Sequence, residues 1–259
     1  MGNLRDKVVL ITGAGQGIGE GIALRLAEDG GDIIVSDVNE ENAKKVSENI
    51  IKNGGKSIAL KIDVSNSASV NNGVKKVIEE FKRIDILVAN AGIVQIKGVE
   101  DITEEDWDKL MAVNLKGVFL TDKAVIPFMK SQKSGKIINC SSIAGRVGAA
   151  YFAHYCAAKF GVIGFSQSIA KELAKYNITV NVYCPGIVDT PMWDRINPAL
   201  CEIENIKLSE IKQINIDRTL LGRLSTPADV ACLVSFLASK DADFMTGQSV
   251  ILDGGVTIL

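Results

Sequence analysis

Short apolar runs alternate with amphipathic stretches along the whole chain. The apolar runs are rich in Val and Ile and bounded by polar or glycine-containing segments, a pattern typical of buried strands. The strands predicted in this way span 7–12, 32–37, 57–64, 84–92, 135–142, 178–186 and 247–255. Continuous apolar strands, rather than alternating ones, indicate a parallel sheet that is covered on both faces.

Helical spacing recurs between these runs. Ile18, Ile22 and Leu26 lie four residues apart after the first strand, which predicts one buried helical face. The remaining predicted helices span 41–55, 67–82, two stretches within 104–131, and 152–175. Strands that alternate with helices predict an α/β fold with a doubly wound parallel sheet of about seven strands. No linker or repeat interrupts the pattern, so we expect one domain over residues 1–259.

The least regular segment is 187–226, between the sixth strand and the last helix. It contains Pro191, Pro198 and an amphipathic stretch near 200–214. In a doubly wound sheet this segment would lie over the carboxyl ends of the strands, where ligands bind. We therefore expect a lid there.

Composition and charge exclude several classes of function. The 259 residues are 47% hydrophobic and 23% charged, and the formal net charge of −2 provides no basic field for nucleic acid. No apolar run approaches the ~20 residues of a membrane span, and the first one is too short for a signal peptide. The five cysteines form no CxxC pair, which indicates neither a disulfide framework nor a zinc site, and a single histidine excludes a His-based metal cluster. We expect a cytoplasmic protein without a bound metal.

A glycine-rich turn follows the first strand. The stretch TGAGQGIG (12–19) joins that strand to a helix, so its glycines allow a tight turn and the helix start can bind a pyrophosphate. Asp37 ends the second strand, where its carboxylate would accept hydrogen bonds from the adenosine ribose and repel a 2′-phosphate. Together these features predict a Rossmann-type site for NAD rather than NADP. Asp63 and Val64 end the third predicted strand and would lie at the adenine edge.

A tyrosine and a lysine lie four residues apart in HYCAAKFG (154–161). Tyr155 and Lys159 therefore share one helix face. Taken alone, the pair is consistent with an ordinary surface contact. That interpretation is favoured on this stretch alone, and the alternative is a phenol whose pKa, about 10 when free, is lowered by a neighbouring ammonium.

Further motifs give these two features a common explanation. The spacing T-G-x-x-x-G-x-G followed by Tyr-x-x-x-Lys resembles the short-chain dehydrogenase/reductase family, and the resemblance covers nearly the whole chain. The stretch ANAG (89–92) is similar to the family's Asn-Asn-Ala-Gly, although Ala89 replaces the first Asn. The family pattern also matches VNLKG with Asn114, INCSSIAG with Ser142 thirteen residues before Tyr155, and PGIVDT (185–190).

The resemblance implies a catalytic set of four residues. Tyr155 would be the general acid/base, and Lys159 would lower its pKa toward the working pH and hold the nicotinamide ribose. Ser142 would polarise the substrate oxygen. Asn114 would anchor a water that connects Lys159 to solvent. The neighbouring His154 points away from Tyr155 on a helix, so we expect a structural or pocket-rim role for it.

The resemblance also implies the cofactor and substrate sites. The expected NAD-binding residues are Gly13, Gln16, Gly17, Ile18, Gly19, Asp37, Asp63, Val64, Asn90, Tyr155, Lys159, Pro185, Gly186, Val188 and Thr190. The expected substrate pocket is small and mostly apolar, formed by Ser142, Ile143, Tyr155, Gln95, Ala149, Ala150, Met192 and Trp193.

Several activities remain open at this point. The pattern resembles diacetyl/acetoin reductases, also called 2,3-butanediol dehydrogenases, and polyol dehydrogenases of the sorbitol or galactitol type share much of it. A 3-oxoacyl-carrier-protein reductase is a further alternative, which Asp37 disfavours because those enzymes usually use NADP. A catalytically silent nucleotide-binding scaffold is the alternative from another class. The resemblance also implies a homotetramer, with the helices of 104–131 and 152–175 and the apolar tail 256–259 in its interfaces.

Overall fold

The architecture is a seven-stranded sheet with helices on both sides, seen in a computed structural model that describes residues 3–258. The strands are β1 Val8–Thr12, β2 Asp32–Asp37, β3 Lys56–Lys61, β4 Ile86–Ala89, β5 Gly135–Cys140, β6 Ile178–Pro185 and β7 Ser249–Leu252. The α-helices are α1 Gly17–Glu28, α2 Glu40–Lys52, α3 Ser67–Phe81, α4 Glu104–Met111, α5 Gly117–Gln132, α6 Ala153–Leu173, α7 Pro191–Glu204, α8 Ile211–Asp217 and α9 Pro227–Ala238.

All seven strands are parallel, in the order β3-β2-β1-β4-β5-β6-β7. The chain first winds outward from β1 to β3 and then crosses back to β4 beside β1. This reversal places the carboxyl ends of β1 and β4 next to each other and opens a crevice there, where doubly wound sheets bind ligands. The predicted Rossmann-type fold is confirmed.

The core lies on both faces of the sheet, because successive strand residues point to opposite sides. In β1, Val9 and Ile11 pack toward α1, α2 and α9, whereas Val8 and Leu10 pack toward α3, α5 and α6. All five residues of β1 are buried, which explains why this strand reads as a continuous apolar run in the sequence.

Three strands are shorter than their apolar runs. The run 84–92 contributes only Ile86–Ala89 to the sheet, because the backbone N–H groups of Asn90 and Ala91 turn to donate to the Thr12 hydroxyl. The run 57–64 yields a strand that ends at Lys61, and the run 247–255 yields only Ser249–Leu252. In each case the predicted run extends beyond the hydrogen-bonded ladder.

The two helical stretches predicted within 104–131 join without a break. Between α4 and α5 the chain forms one wide π-helical turn, Ala112–Lys116, which contains Asn114. Asn114 therefore lies in a local defect of the helical hydrogen bonding, a feature that is frequent at functional sites.

The lid predicted over 187–226 is confirmed in position, but it is more regular than its sequence indicates. Pro191 begins α7. Proline is tolerated at the first position of a helix because an N–H there would have no hydrogen-bond partner within the helix. The amphipathic stretch near 200–214 is divided between the end of α7 and the start of α8. Ile196 and Leu200 of α7 pack with Ile211 of α8 into a separate apolar cluster above the sheet.

Candidate active site

The glycine turn after β1 brings backbone close to backbone. Gly13 has φ +62°, and a Cβ there would lie 2.7 Å from Ala91 Cα. A Cβ on Gly19 would lie 2.2 Å from the carbonyl oxygen of Gly13, so a side chain at either position requires the backbone to move. Gln16 precedes α1, and its side chain makes no capping hydrogen bond. The N–H groups of the first helical turn thus remain available to an anion.

Asp37 stands beside this turn at the end of β2. Its carboxylate accepts hydrogen bonds from the N–H groups of Gly15, at 3.0 Å, and Asn39, at 2.9 Å. These two bonds fix the carboxylate at the edge of the crevice. The absence of a side chain on Gly15 makes this possible, since a Cβ there would lie 3.0 Å from Asp37 Cγ.

The Asn90 amide braces the sheet at the edge of the crevice. Its Nδ2 donates to the carbonyl oxygens of Thr12, at 3.1 Å, and Gly13, at 2.9 Å. Its Oδ1 accepts a 2.8 Å hydrogen bond from the buried hydroxyl of Tyr183 on β6. The amide of this expected cofactor ligand is therefore already engaged in joining β1, β4 and β6. The sequence does not reveal this role, because Tyr183 lies 93 residues away.

Three of the four expected catalytic residues, Ser142, Tyr155 and Lys159, line the crevice, whereas Asn114 is buried behind the lining. Tyr155 and Lys159 are on the first turns of α6, and the Lys159 Nζ lies 5.6 Å from the centre of the Tyr155 ring. Lys159 is only 3% exposed, and its Nζ donates to the carbonyl oxygen of Cys140 at 2.9 Å. Ser142 follows β5, and its Oγ accepts from the N–H of Ala144.

The electrostatics of Tyr155 differ from the simple expectation. Burial, the largest influence, raises the pKa of the phenol above its usual value, and Lys159 and Ser142 lower it. Lys159 thus acts in the expected direction, but burial outweighs it. The phenol is protonated at neutral pH and can donate a hydrogen bond or a proton.

Lys159 keeps its positive charge despite its burial. Burial, again the largest influence, lowers its pKa, whereas the ionised forms of Cys140, Tyr155 and Cys184 raise it, so that the pKa lies above its usual value. The ammonium is therefore charged at neutral pH and can stabilise negative charge on the Tyr155 oxygen.

The side chain of Asn114 is fully buried, and both of its polar groups bond to one residue. Its Nδ2 donates to the carbonyl oxygen of Ile93 at 2.7 Å, and its Oδ1 accepts from the Ile93 N–H at 2.8 Å. This pairing holds the loop after β4 against the π-helical turn. Gly92 lies between Asn114 Oδ1 and Lys159 Nζ, since a Cβ there would be within 3.6 Å of each.

The crevice continues from the glycine turn to the lid as one cleft of about 860 Å³. The expected cofactor residues all contribute to its lining: Gly13, Gln16, Gly17, Ile18, Gly19, Asp37, Asp63, Val64, Asn90, Tyr155, Lys159, Pro185, Gly186, Val188 and Thr190. Of the expected substrate residues, Ser142, Ile143, Ala149, Ala150, Met192 and Trp193 line it together with Tyr155.

Sequence reasoning missed part of the lid end of the cleft. The additional apolar residues there are Val94, Phe152, Ile196 and Leu200, and the additional polar ones are Lys109, Glu204, Asn215 and Arg218. Phe152 packs edge-on against the Tyr155 ring with 6.1 Å between ring centres. The position of Phe152 three residues before Tyr155 was the one available signal. The others come from the loop after β4, from helices and from the turn after α8, whose placement the sequence does not specify.

Gln95 was expected in the substrate pocket, but it is not among the residues that line the cleft. Its Nε2 donates to Asp106 and its Oε1 lies 2.9 Å from the Nε2 of His154. His154 is fully buried, as a structural role requires, and burial, the largest influence, lowers its pKa. Gln95 thus connects the start of α6 to the start of α4.

The arrangement provides a proton donor, a hydrogen-bond donor and a fixed positive charge around one point. The Tyr155 and Ser142 hydroxyls can both contact a carbonyl oxygen, and Lys159 can stabilise the phenolate that remains after proton transfer. Among the described residues, no three His, Cys, Asp or Glu side chains come close enough together to hold a metal ion. Within residues 3–258 no helix is both long and apolar enough to cross a membrane.

Comparisons with known proteins agree with this geometry. A family model described as short chain dehydrogenase matches residues 7–200. The chain is 40% identical to a diacetyl reductase [(S)-acetoin forming] of Staphylococcus epidermidis and 40% identical to an L-2,3-butanediol dehydrogenase of Corynebacterium glutamicum. Each of these alignments covers 97% of this chain and 98% of the relative.

Relatives with other activities are almost as similar. A 3-oxoacyl-[acyl-carrier-protein] reductase of Thermotoga maritima is 37% identical over 98% of this chain and 99% of its own. A crystal structure of a short-chain type dehydrogenase/reductase from Mycobacterium marinum superposes with a TM-score of 0.91 at 31% identity, covering 99% of this chain and 98% of that one. The chain therefore belongs to the short-chain dehydrogenase/reductase family and is an oxidoreductase of the alcohol dehydrogenase or carbonyl reductase type.

Proposed function

We propose that this protein uses NAD(H) to interconvert a small ketone and a secondary alcohol, with diacetyl or acetoin and 2,3-butanediol as its substrates. The observation that carries the proposal is the apolar lining beside the hydroxyls of Tyr155 and Ser142 at the lid end of the cleft.

The residues of the cleft fit a dinucleotide. The close approaches at Gly13 and Gly19 leave no room for side chains where the backbone must face a pyrophosphate, and the uncapped start of α1 offers N–H donors. The fixed carboxylate of Asp37 supports NAD over NADP, because a 2′-phosphate would place negative charge against it. NAD, when bound, exchanges hydride with the substrate carbon.

The protein's own residues would transfer the proton and bind the substrate oxygen. In reduction, the Tyr155 hydroxyl gives its proton to the substrate oxygen as hydride reaches the carbon, and Lys159 stabilises the resulting phenolate. The Ser142 hydroxyl donates a hydrogen bond to the same oxygen. In oxidation, the Tyr155 phenolate takes the proton back. Lys159 is well placed for this role because Cys140 fixes its ammonium within the cleft.

The size and polarity of the lid end support a small substrate. Tyr155 and Ser142 would both contact the reacting oxygen of a four-carbon diketone or diol, which leaves one further oxygen, and the methyl ends would contact apolar side chains such as Ile143 and Trp193. Each hydroxyl of a larger polyol left without a partner costs about 1–3 kcal/mol. A hexitol would need partners for six hydroxyls.

One observation favours the polyol alternative. The polar side chains Glu204, Asn215 and Arg218 also line the cleft, from the lid helices and the turn after α8. Glu204 and Arg218 lie 3.9 Å apart and partly satisfy each other. If both contacted a substrate instead, the lid would serve a polyol well. For this reason the choice between the two substrate classes depends on kinetics.

The test is a substrate panel under one set of conditions. The value of kcat/KM is measured for diacetyl and acetoin with NADH, and for 2,3-butanediol, sorbitol and galactitol with NAD. A 3-oxoacyl thioester is included in the reductive series. We expect the four-carbon substrates to exceed the others at least tenfold, about 1.4 kcal/mol in transition-state binding. Hexitols that exceed butanediol tenfold would replace the proposal with the polyol alternative.

A further proposal concerns assembly. Trp107, Phe119 and Phe160 are each at least 40% exposed, on α4, α5 and α6. Apolar side chains of this size on neighbouring helices support a homotetramer that buries these faces. The tail is consistent with it, since Ile258 is 82% exposed, although Leu259 lies outside the described residues.

A further inference from the structure

A buried polar cluster lies behind the catalytic wall, where α5, β5 and α6 meet. Asp122 of α5, Asn139 of β5 and Ser166 of α6 are each fully buried. Asn139 Nδ2 donates to Asp122 Oδ2 and to Ser166 Oγ, both at 2.9 Å, and Ser166 Oγ donates to the carbonyl oxygen of Val162. Both N–H bonds of the Asn139 amide are thus used.

Two buried oxygens of the cluster lack a partner. Among the residues that the structure describes, nothing donates to Asp122 Oδ1 or to Asn139 Oδ1. An ionised carboxylate and an amide oxygen can only accept hydrogen bonds, so neither can satisfy the other. Two buried unsatisfied acceptors next to a negative charge would be very costly. One proton on Asp122 removes the charge and supplies the missing donor.

We propose that Asp122 is a positioning residue that works as a neutral carboxylic acid. Its Oδ1–H donates to Asn139 Oδ1 while its Oδ2 accepts from Asn139 Nδ2, and this acid–amide pair holds α5 and β5 together behind Lys159. Burial, the largest influence, raises the pKa of Asp122 to about 8, and the Asn139 hydrogen bond lowers it only in part.

No charged partner offers Asp122 another way to be stabilised. Apart from Cys156, which is buried at the start of α6, the other titratable side chains of α3, β5, α6 and α5 are engaged elsewhere or exposed. Lys75 pairs with Glu79, Lys136 pairs with Asp243, Lys130 lies over the Tyr176 ring, and Lys159 donates to Cys140, which lines the cleft. The exposed ones are Lys76, Glu80, Lys123, Lys171 and Glu172. Of the titratable side chains near the start of α6, Tyr155 faces the cleft and His154 faces Gln95. None of these groups acts on the Asp122 pKa.

The pair is connected to the catalytic residues through the chain that follows Asn139. The next residue, Cys140, accepts the hydrogen bond from Lys159 Nζ, and Ser141 Oγ donates to the Lys159 carbonyl oxygen at 2.8 Å. Ser166 lies two helical turns beyond Lys159 on the same face of α6. Loss of the Asp122 proton would leave Asp122 Oδ1 and Asn139 Oδ1 as two adjacent acceptors without a donor. The contact between α5 and β5 would then weaken.

The first test is the pH dependence of the melting temperature of the full chain. The folded-state pKa of Asp122 is above its unfolded value of about 4, so the stabilisation from this group is complete below pH 4 and is lost as the pH rises toward 8. D122N keeps the pairing geometry without a proton to lose. We expect wild type to lose at least about 5 °C of Tm relative to D122N between pH 5 and pH 8.5.

Two further variants keep this test decisive. D108N removes an exposed carboxylate from α4, and its Tm should follow that of wild type at every pH. D122L cannot form the pair, so it should melt well below D122N at both pH values. A difference in Tm between wild type and D122N that does not change with pH, or a D122L protein as stable as D122N, would overturn the pairing.

The positioning role has its own readouts. Hydrogen exchange in peptides covering 136–142 and 159–166, corrected for the intrinsic rate, should accelerate above pH 8 in wild type but not in D122N. As the pH is raised, the kcat for reduction should begin to fall at a lower pH in wild type than in D122N. This last readout alone rests on the proposed function. Identical exchange in the two proteins would overturn the positioning role, whereas a panel without activity would overturn only the proposed function.

Discussion

The Lys159 ammonium is fixed by a 2.9 Å hydrogen bond to the carbonyl oxygen of Cys140. Cys140 is the last residue of β5, and Lys159 lies on the second turn of α6. The bond therefore ties the charged group to the rigid sheet rather than to a mobile loop. It explains how a lysine that is 3% exposed keeps one orientation beside Tyr155.

Replacement of Lys159 by Met tests this arrangement. Met has a similar shape but no donor, so turnover should fall at least 100-fold and NADH should bind more weakly. The carbonyl oxygen of Cys140 would lose its donor, at a cost of about 1–3 kcal/mol, offset in part because a buried charge is removed. Steady-state kinetics and NADH fluorescence titration measure the first two effects. The exposed Lys75 of α3, replaced by Met, is the control and should change neither.

Tyr155→Phe should separate chemistry from binding. The ring and its edge-on contact with Phe152 remain, but the proton is lost. We expect kcat to fall by about 10²–10⁴, a typical contribution of general acid–base catalysis, while NADH binding stays within about threefold. Single-turnover kinetics and NADH titration measure these two quantities. A variant that turns over at the wild-type rate would remove Tyr155 from the mechanism.

The two directions of the reaction should depend on pH in opposite ways. Reduction needs the Tyr155 phenol and oxidation needs the phenolate, and burial raises the pKa of this group above its usual value. The kcat/KM for acetoin reduction should therefore be nearly constant around neutral pH and fall only in alkaline solution. The kcat/KM for alcohol oxidation should rise with pH. An oxidation rate that is already constant at pH 7 would contradict a raised phenol pKa.

Asp37→Ala should weaken the discrimination between cofactors. Without the carboxylate at the edge of the crevice, the preference for NADH over NADPH in kcat/KM should narrow at least tenfold, about 1.4 kcal/mol. Asp32→Ala, at the opposite end of the same strand, is the matched control and should leave the ratio unaltered. If the wild-type protein prefers NADPH, Asp37 does not have the role given to it here.

The proposed assembly can be tested with Phe160. This side chain is 46% exposed on α6, so Phe160→Glu should break a tetramer by placing charge in its interface. Light scattering should give a tetramer mass for wild type and a smaller one for the variant. A wild-type monomer at working concentration would contradict the proposal.

The sequence by itself determined the features that depend on near neighbours. The central strand β1 is apolar from Val8 to Ile11, because burial on both faces disfavours polar residues there. The glycine turn could be predicted from the sequence because its backbone requires glycine. Gly13 has φ +62° and lies so close to the backbone of Ala91 that a side chain would not fit. Tyr155 and Lys159 share a face because helix geometry alone places residues four apart together.

The tertiary structure decided what depends on contacts between distant parts of the chain. Asn90 meets Tyr183 across 93 residues, so the amide of this expected cofactor ligand also braces the sheet. Gln95 bonds to His154 away from the cleft lining, because α4 and α6 pack together around it. No local motif marks Asp122, and only the packing of α5 on β5 buries its carboxyl against Asn139. Burial and partnership of polar groups are set by this packing, which the local pattern of the sequence does not encode.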